Sequence, residues 1–437
     1  MLEREAIGRA LEIIEESDAF YRKSHQRIYQ VIISLYDRGD AVDVVTVSNE
    51  LRSRDWIEEV GGSSYLTGLI AEIGTAAHVA YHARIVLEKD TLRRLILAAG
   101  TIIAEAYEQR LPASELVDKA EQLIFAIADK RDKRGFVGMK QLVKPTFEAI
   151  EEQFEKKDPI TGIQTGYQDL DGLTAGFQRS DLIIIAGRPS MGKTAFCLNV
   201  AENVAIRFGK PVGIFSLEMS TSQLVRRLFS SLSRVSSQRI RTGFLRDADW
   251  PLLASAANKL AAAPIYIDDS GSPTVLEMRS KARRLAAEVD LGMIIVDYLQ
   301  LVRGGPDVES RQQEISQISR SLKALAKELN VPVVALSQLS RAVEARADKR
   351  PMLSDLRESG ALEQDADVVM FVYREAMYEK SDENENMAEI IVAKQRNGPT
   401  DTVKMVFLRD QTRFASLDRS HGGDPFSSAA DTRESRT

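Results

Sequence analysis

Two hydrophobic rhythms divide this chain. Up to about residue 128, apolar side chains recur at three- and four-residue spacing, as in Ile28, Val31, Ile32, Leu35 and again in Leu92, Leu95, Ile96. That is the period of helices with one buried stripe. The stretch 76–130 has no proline except Pro112, which predicts a helical hairpin broken there. The charge run Asp129-Lys-Arg-Asp-Lys-Arg-Gly135 reads as a linker. A further helix follows over 144–157, charged on most faces, with Phe147, Ile150 and Phe154 as a narrow apolar stripe. A stripe that narrow suits docking on a partner better than building a core. Asp158-Pro159 ends the helix.

From about residue 160 the rhythm changes. Continuous apolar, β-branched runs appear at 182–186, 212–216, 293–296, 331–336, 368–372 and 390–393, most of them separated by helix-length segments. Strands buried on both faces read this way, so the second half is expected to be α/β, a mostly parallel sheet flanked by helices. After Leu417 the chain is Ser, Gly, Asp, Arg and Thr, and reads as a disordered tail. The expected organisation is an all-α N-terminal domain over 1–128, a linker with a docking helix over 129–159, the α/β domain over 160–417 and the tail over 418–437.

The first α/β run feeds directly into Gly187-Arg188-Pro189-Ser190-Met191-Gly192-Lys193-Thr194, and a helix is predicted over 195–208. Gly, four free positions, then Gly-Lys-Thr, between a strand and a helix, is the phosphate-binding loop pattern in the context it needs. Glycines let backbone N–H groups curl around phosphate oxygens, and the helix N-terminus adds partial positive charge. Lys193 is expected to reach the β- and γ-phosphates of ATP, and the Thr194 hydroxyl to hold Mg²⁺.

Ligands of open α/β sheets bind beyond the carboxyl ends of the strands. Three other runs end there in polar residues: Glu218 after Phe215-Ser-Leu, Asp297 after Ile294-Ile-Val, and Gln338 after Val334-Ala-Leu-Ser. Any one of them could be a helix cap. Three in one sheet beside a phosphate loop fit phosphoryl chemistry. Asp297 suits the carboxylate that holds Mg²⁺ through water, and Glu218 the group that polarises the attacking water. Gln338, which both donates and accepts, could sense the γ-phosphate and pass its state to the loop after it. That loop, 339–362, carries Arg341, Arg346, Lys349, Arg350 and Arg357 against Glu344, Asp348, Asp355 and Glu358, with no aromatic. A base-stacking platform is not supported. The spacing alone fits a solvated loop, while backbone N–H groups and an arginine could hold the phosphates of a single strand. Lys394 and Arg396 are two apart at the end of a strand and so share a face. They are either a solvated pair or an arginine finger given to a neighbouring subunit.

Composition narrows the classes. At 44% apolar residues, sizeable cores can be buried, and a net charge of -6 excludes a general polyanion binder, so any nucleic-acid site must be a local groove. A single cysteine, Cys197, permits no intrachain disulfide and reads as a small buried hydrophobe. His78 and His82 are spaced i, i+4 but lack a Cys or third His nearby, so they read as ordinary helix residues. Neither a leader-like segment nor a run of about 18 apolar residues is present. A soluble cytoplasmic protein with no membrane contact is expected.

Taken together, the phosphate loop, Phe215-Ser-Leu-Glu-Met-Ser220, Ile295-Val-Asp-Tyr-Leu-Gln-Leu301, Ala335-Leu-Ser-Gln-Leu339, Asp355-Leu-Arg-Glu-Ser-Gly360 and Lys394-Gln-Arg-Asn-Gly398 resemble the hexameric DnaB family of bacterial replicative DNA helicases. Further matches are Ala263-Pro-Ile-Tyr-Ile-Asp-Asp269 and Asp18-Ala-Phe-Tyr-Arg22, so the resemblance runs to about Leu417. The phosphate loop alone is common to many ATPases; the set in this order is specific. The resemblance implies a RecA-like motor behind a helical collar, joined by a linker helix that docks on the next subunit. It implies a homohexamer that encircles single-stranded DNA and moves 5′ to 3′ on it with ATP and Mg²⁺. By the family's pattern, Glu218 is the catalytic glutamate, Asp297 the Mg²⁺ carboxylate and Gln338 the link from γ-phosphate to DNA. Arg357, Glu358 and Gly360 would contact DNA, and Lys394 and Arg396 would reach the neighbour's ATP. A primase at the collar and a helicase loader are the implied partners. The family's collar usually starts with a helix upstream of what corresponds to Leu2, so either the start site is misassigned or this collar is expected to lack its first helix. Two other readings are a recombination or repair ATPase of the wider RecA class and an ATP-switched scaffold that recruits primase. The helical collar and the lack of a zinc-finger cysteine set argue against the first, and Glu218 against the second.

Overall fold

The computed structural model describes residues 4–72, 76–110, 112–131, 138–156, 159–303, 310–381 and 384–417. The tail over 418–437 and most of the charge run expected to form the linker lie outside the described residues. The chain divides into two compact units, Met1–Glu148 and Ala149–Thr437. The division falls inside one helix, Met139–Lys156, rather than in a loop.

The first unit is helical, as its three- and four-residue periodicity predicts. In helix Lys23–Arg38, Ile28, Val31 and Leu35 are buried against Val47 and Leu51 of helix Val44–Ser53 and Leu66 of helix Gly62–Ala71. Gly39 ends the first of these at φ 79°, a left-handed cap that costs glycine no steric clash. Asp43 starts the second with a capping box, its carboxylate accepting from the Thr46 N–H. The expected hairpin is present as helices Val79–Glu108 and Ala113–Arg131, broken on either side of Pro112. His78 caps the first of them, and His25 bonds Tyr65 at 2.8 Å.

The described residues of the second unit form a nine-stranded sheet in the order β3-β2-β4-β5-β1-β6-β7-β8-β9. The strands are β1 (Leu182–Gly187), β2 (Val212–Ser216), β3 (Ile265–Asp268), β4 (Met293–Asp297), β5 (Val333–Gln338), β6 (Val368–Tyr373), β7 (Met387–Gln395), β8 (Thr402–Leu408) and β9 (Arg413–Ser416). Strands β3 through β6 of this order are mutually parallel, and β7, β8 and β9 extend the sheet antiparallel. The expected mostly parallel sheet is therefore present, with β3, β8 and β9 added to the six runs read from the sequence. Residues of β1 alternate between two cores. Ile183 and Ile185 pack with Phe196, Val200 and Val204 of the helix behind the phosphate loop; Leu182, Ile184 and Ala186 pack with Leu322 and Leu325 of helix Arg311–Leu329. Burial on both faces is what makes these strands continuous apolar runs. Among the described residues, no helix is long and apolar enough to cross a membrane.

Candidate nucleotide site

Register places the chemistry. Strand β1 pairs with β5 so that Gly187, the first residue of the phosphate loop, stands opposite Gln338. Strand β2 pairs with β4 so that Ser216 stands opposite Asp297, and the Leu217 N–H donates to the Asp297 carbonyl at 2.7 Å. With β4 next to β5, the loop, Gln338, Asp297 and Glu218 fall in a row along the carboxyl edge of one sheet. They line a cavity of about 760 Å³ with Pro189, Ser190, Gly192, Lys193 and Thr194.

The loop is shaped by backbone that few residues allow. Gly192 sits at φ 103°, and a Cβ there would meet the Phe414 ring at 3.1 Å. A Cβ on Gly187 would come within 2.9 Å of the Val372 carbonyl oxygen. The helix that follows begins at Lys193, two residues before the predicted start, because Gly192 already serves as its cap. Its α-helical part runs Lys193–Glu202 and continues as a π turn, Asn203–Arg207. Cys197 on this helix is buried, and burial pushes its thiol well above the usual range, so it is the inert core residue expected.

Two charges dominate the cavity floor. The Lys193 ammonium donates to the Gly187 carbonyl at 2.7 Å and the Arg188 carbonyl at 3.3 Å. Burial lowers its pKa, opposed by the charges of Asp297 and Glu218. Asp297 is 4% exposed. Burial pushes its carboxyl up to about 6; a hydrogen bond from Thr194 opposes this and the charge of Glu218 adds to it. Its Oδ2 is buried without a hydrogen-bond partner among the described residues. A buried carboxylate with a free oxygen beside a threonine hydroxyl is the hard oxygen set that Mg²⁺ requires, so the residues fit that ion. Glu218 and Gln338 line the same cavity, and both are exposed.

Sequence reasoning missed the cavity's far wall. Arg374, Phe407 and Arg409 line it, with the Arg374 guanidinium 4.4 Å from the Phe407 ring centre. Arg374 is buried, its Nε lacks a hydrogen-bond partner among the described residues, and burial together with Arg409 lowers its pKa. The strand-end rule that found Asp297 would have found Arg374, which follows β6 directly. Arg409 follows β8, which was not read as a strand.

Other expected site residues lie elsewhere. Arg188 turns its buried side chain away from the cavity, toward the segment after β5. That segment is largely exposed over residues 341–348, as a solvated loop would be, but ion pairs tie it down. Arg346 grips the Asp355 carboxylate with bonds of 2.7 and 2.8 Å, and Arg350 pairs with Glu389 on β7. Arg357 and Glu358 lie on the 3₁₀ turn Leu353–Ser359, their side chains outside the described residues, and Gly360 follows at the start of helix Gly360–Asp365. Lys394 and Arg396 are at the opposite end of the sheet from the phosphate loop. Because β7 is antiparallel, its last residues pair with the first of β6, Lys394 opposite Val369. There Lys394 donates to the Ala366 carbonyl at 2.8 Å, and Arg396 lies 3.3 Å from the Asp367 carboxylate. Neither can reach the cavity of its own chain.

Comparison with known proteins agrees with this geometry. Residues 162–416 match the DnaB-like helicase C terminal domain, and residues 1–88 the DnaB-like helicase N terminal domain. The chain is 50% identical over 419 residues to the replicative DNA helicase DnaC of Bacillus subtilis, covering 96% of this chain and 92% of the relative. The replicative DNA helicase DnaB of Geobacillus stearothermophilus is equally similar, 50% over 419 residues with the same coverage. Among solved structures, a DnaB-like replicative helicase studied for its interactions with primase is 33% identical with a TM-score of 0.70, covering 95% of this chain and 99% of that one. A separately solved ATPase domain is 40% identical with a TM-score of 0.62, covering 65% of this chain and 100% of that domain.

Proposed function

The chain belongs to the DnaB-like helicase family, and on that premise we propose that it is a replicative DNA helicase whose sheet-edge cavity hydrolyses ATP to drive duplex unwinding. The observation that carries the reading is the parallel register that sets Gly187 beside Gln338 and Ser216 beside Asp297, so that a phosphate loop, a buried carboxylate, a second carboxylate and an amide meet in one cavity.

In this reading Lys193 and the loop's N–H groups hold the β- and γ-phosphates. Thr194 and Asp297 are the residues that would hold Mg²⁺, which when bound neutralises charge on the phosphates. Glu218, exposed in the cavity, orients the attacking water and draws its proton. Gln338 sits at the rim where a γ-phosphate would be sensed. Arg374 over Phe407 adds a buried cation on the far wall for the nucleotide.

The finer reading is a ring of six copies moving 5′ to 3′ on one DNA strand. Two observations support it. Lys394 and Arg396 cannot serve their own cavity, so as arginine fingers they must serve a neighbour's. Phe147, Ile150 and Phe154 are exposed along one side of helix Met139–Lys156, as a helix that docks on another subunit requires. Gly360 supports a DNA contact beside Arg357 and Glu358. A Cβ there would meet nothing within 4 Å, so packing does not demand glycine, whereas close approach of a strand would. A primase at the helical unit and a separate loader complete the reading. The recombination-ATPase and scaffold readings find no support: residues 1–88 match the helicase family's N-terminal domain, and Glu218 lies in the cavity.

Strand displacement on a forked DNA with a 5′ single-stranded tail tests this, comparing the protein with its Glu218→Gln variant. Unwinding by the first alone is expected. Equal unwinding by both would remove Glu218 from the chemistry, and ATP turnover indifferent to single-stranded DNA would remove the motor reading.

A further inference from the structure

Arg188 occupies a free position of the phosphate loop pattern, yet its side chain is only 9% exposed. Its main chain belongs to the loop: the carbonyl accepts from the Lys193 ammonium at 3.3 Å and from the Met191 N–H at 3.4 Å. Its side chain belongs to the segment after Gln338. Nε donates to Glu344 Oε1 at 2.8 Å, and Nη1 donates to the Leu339 carbonyl at 2.9 Å. The guanidinium in turn holds the Glu344 carboxyl below the usual range.

The segment so gripped is packed and hydrogen-bonded at both ends. Leu339 and Val343 are buried in the same core as Leu356 of the turn Leu353–Ser359. The Ser340 N–H donates to the Asp355 carbonyl at 3.1 Å, and Arg346 clamps the Asp355 carboxylate from both nitrogens. Asp355 is itself 5% exposed. From the loop that Lys193 touches to the turn that carries Arg357 and Glu358, the contacts run unbroken: Arg188, then Leu339 and Glu344, then Ser340, then Asp355. Such a run of packed and hydrogen-bonded groups transmits a displacement if its ends have two arrangements, and only coupling measurements establish that it does.

We propose that Arg188 is a positioning residue that couples the phosphate loop to the turn carrying Arg357 and Glu358, acting through Glu344 and the Leu339 carbonyl. Nucleotide in the loop thereby sets how that turn holds single-stranded DNA. The inference rests on the reading above that the turn contacts DNA. It differs from the sensing role of Gln338, because Arg188 is itself a residue of the loop, whereas Gln338 ends the neighbouring strand.

The test is the ratio of single-stranded DNA Kd without and with a non-hydrolysable ATP analogue and Mg²⁺, measured on the full chain by fluorescence anisotropy. The variants are Glu344→Gln, Arg188→Met and the double. Glu344 is half-exposed and outside the cavity, so Glu344→Gln is expected to fold and to keep both its nucleotide-free DNA Kd and its DNA-free analogue Kd. Its ratio should fall about fivefold. Arg188→Met, which loses both bonds, should fall further, and the double variant should match Arg188→Met. By reciprocity the effect of DNA on analogue affinity must fall by the same factor. An unchanged ratio in Glu344→Gln and Arg188→Met would overturn the proposal. Equal weakening of both DNA Kd values, leaving the ratio intact, would show a merely structural contact and overturn it too. If the unmutated protein itself shows DNA binding indifferent to nucleotide, the DNA-contact reading fails along with this one. Failure in the variants alone leaves that reading standing.

Discussion

Gly187 and Gln338 stand opposite one another at the carboxyl ends of β1 and β5. The last amide of one strand thus sits beside the first residue of the phosphate loop carried by the next. Neither the strand nor the loop needs glutamine there: the side chain is exposed, while the preceding Ser337 is buried and accepts from Gln300 at 3.1 Å. Gln338→Ala is therefore expected to leave stability and nucleotide affinity nearly unchanged and to lower the stimulation of ATP turnover by single-stranded DNA about tenfold. Steady-state turnover with and without DNA, beside nucleotide titration, separates the two effects. A variant with full stimulation would free Gln338 from any sensing role.

Arg396 rests near Asp367 at the end of the sheet remote from Lys193, so a finger role demands a second copy. Arg396→Ala alone is expected to lose about 10³-fold or more in turnover, as is Lys193→Ala. Co-expressed, the two should recover part of it. Where a Lys193→Ala subunit offers its intact Arg396 to the intact phosphate loop of an Arg396→Ala subunit, one complete site forms. Mixed assemblies as inactive as either parent would exclude a finger acting between copies.

Legibility followed burial. Strands β1, β4 and most of β5 are covered on both faces, so their apolar runs announced them, and the polar residues just past them announced the cavity. Strand β8 is buried on alternate residues only, Val403, Met405 and Phe407, and has no continuous run; β9 and the half-exposed edge strand β3 are four residues each. With β8 unread, Phe407 and Arg409 could not be placed on the cavity wall. The segment after β5 was read as a balanced charged loop. Arg346 with Asp355 was within reach of that reading, both partners lying in the loop. Arg350 with Glu389 and Arg188 with Glu344 were not, since each joins residues that only the sheet's register brings together.

Arg374 is a buried cation with no ion pair among the described residues. Holding a charge out of water without an anion destabilises the fold. Arg374→Met keeps the contact with Phe407 and removes that cost. Its unfolding midpoint without nucleotide is expected to rise by about 2–4 °C, while nucleotide binding weakens about tenfold, the loss of one charge-assisted bond. Thermal scans with and without ADP read both. A variant that is less stable yet binds nucleotide normally would assign Arg374 to packing alone.

Asp181, just before β1, gives a pH signature separate from the nucleotide cavity. Burial and the neighbouring Asp367 push its carboxyl up to about 6, with Lys323 3.7 Å away pulling the other way. An unfolded aspartate titrates near 4, so between those values the folded chain holds a proton that the unfolded chain has released. The folded state binds more protons, and stability from this group must fall as pH rises. It is fully present below about pH 4 and gone above about pH 6. Asp181→Asn, which cannot ionise, lacks this loss. The variant should therefore gain on the unmutated protein between about pH 4.5 and about pH 7.5, with Lys323 still held by Asp367. Urea midpoints at the two pH values measure it. A difference between the two proteins that stays constant across that range would place the Asp181 carboxyl at or below its ordinary pKa, with Lys323 offsetting burial and Asp367.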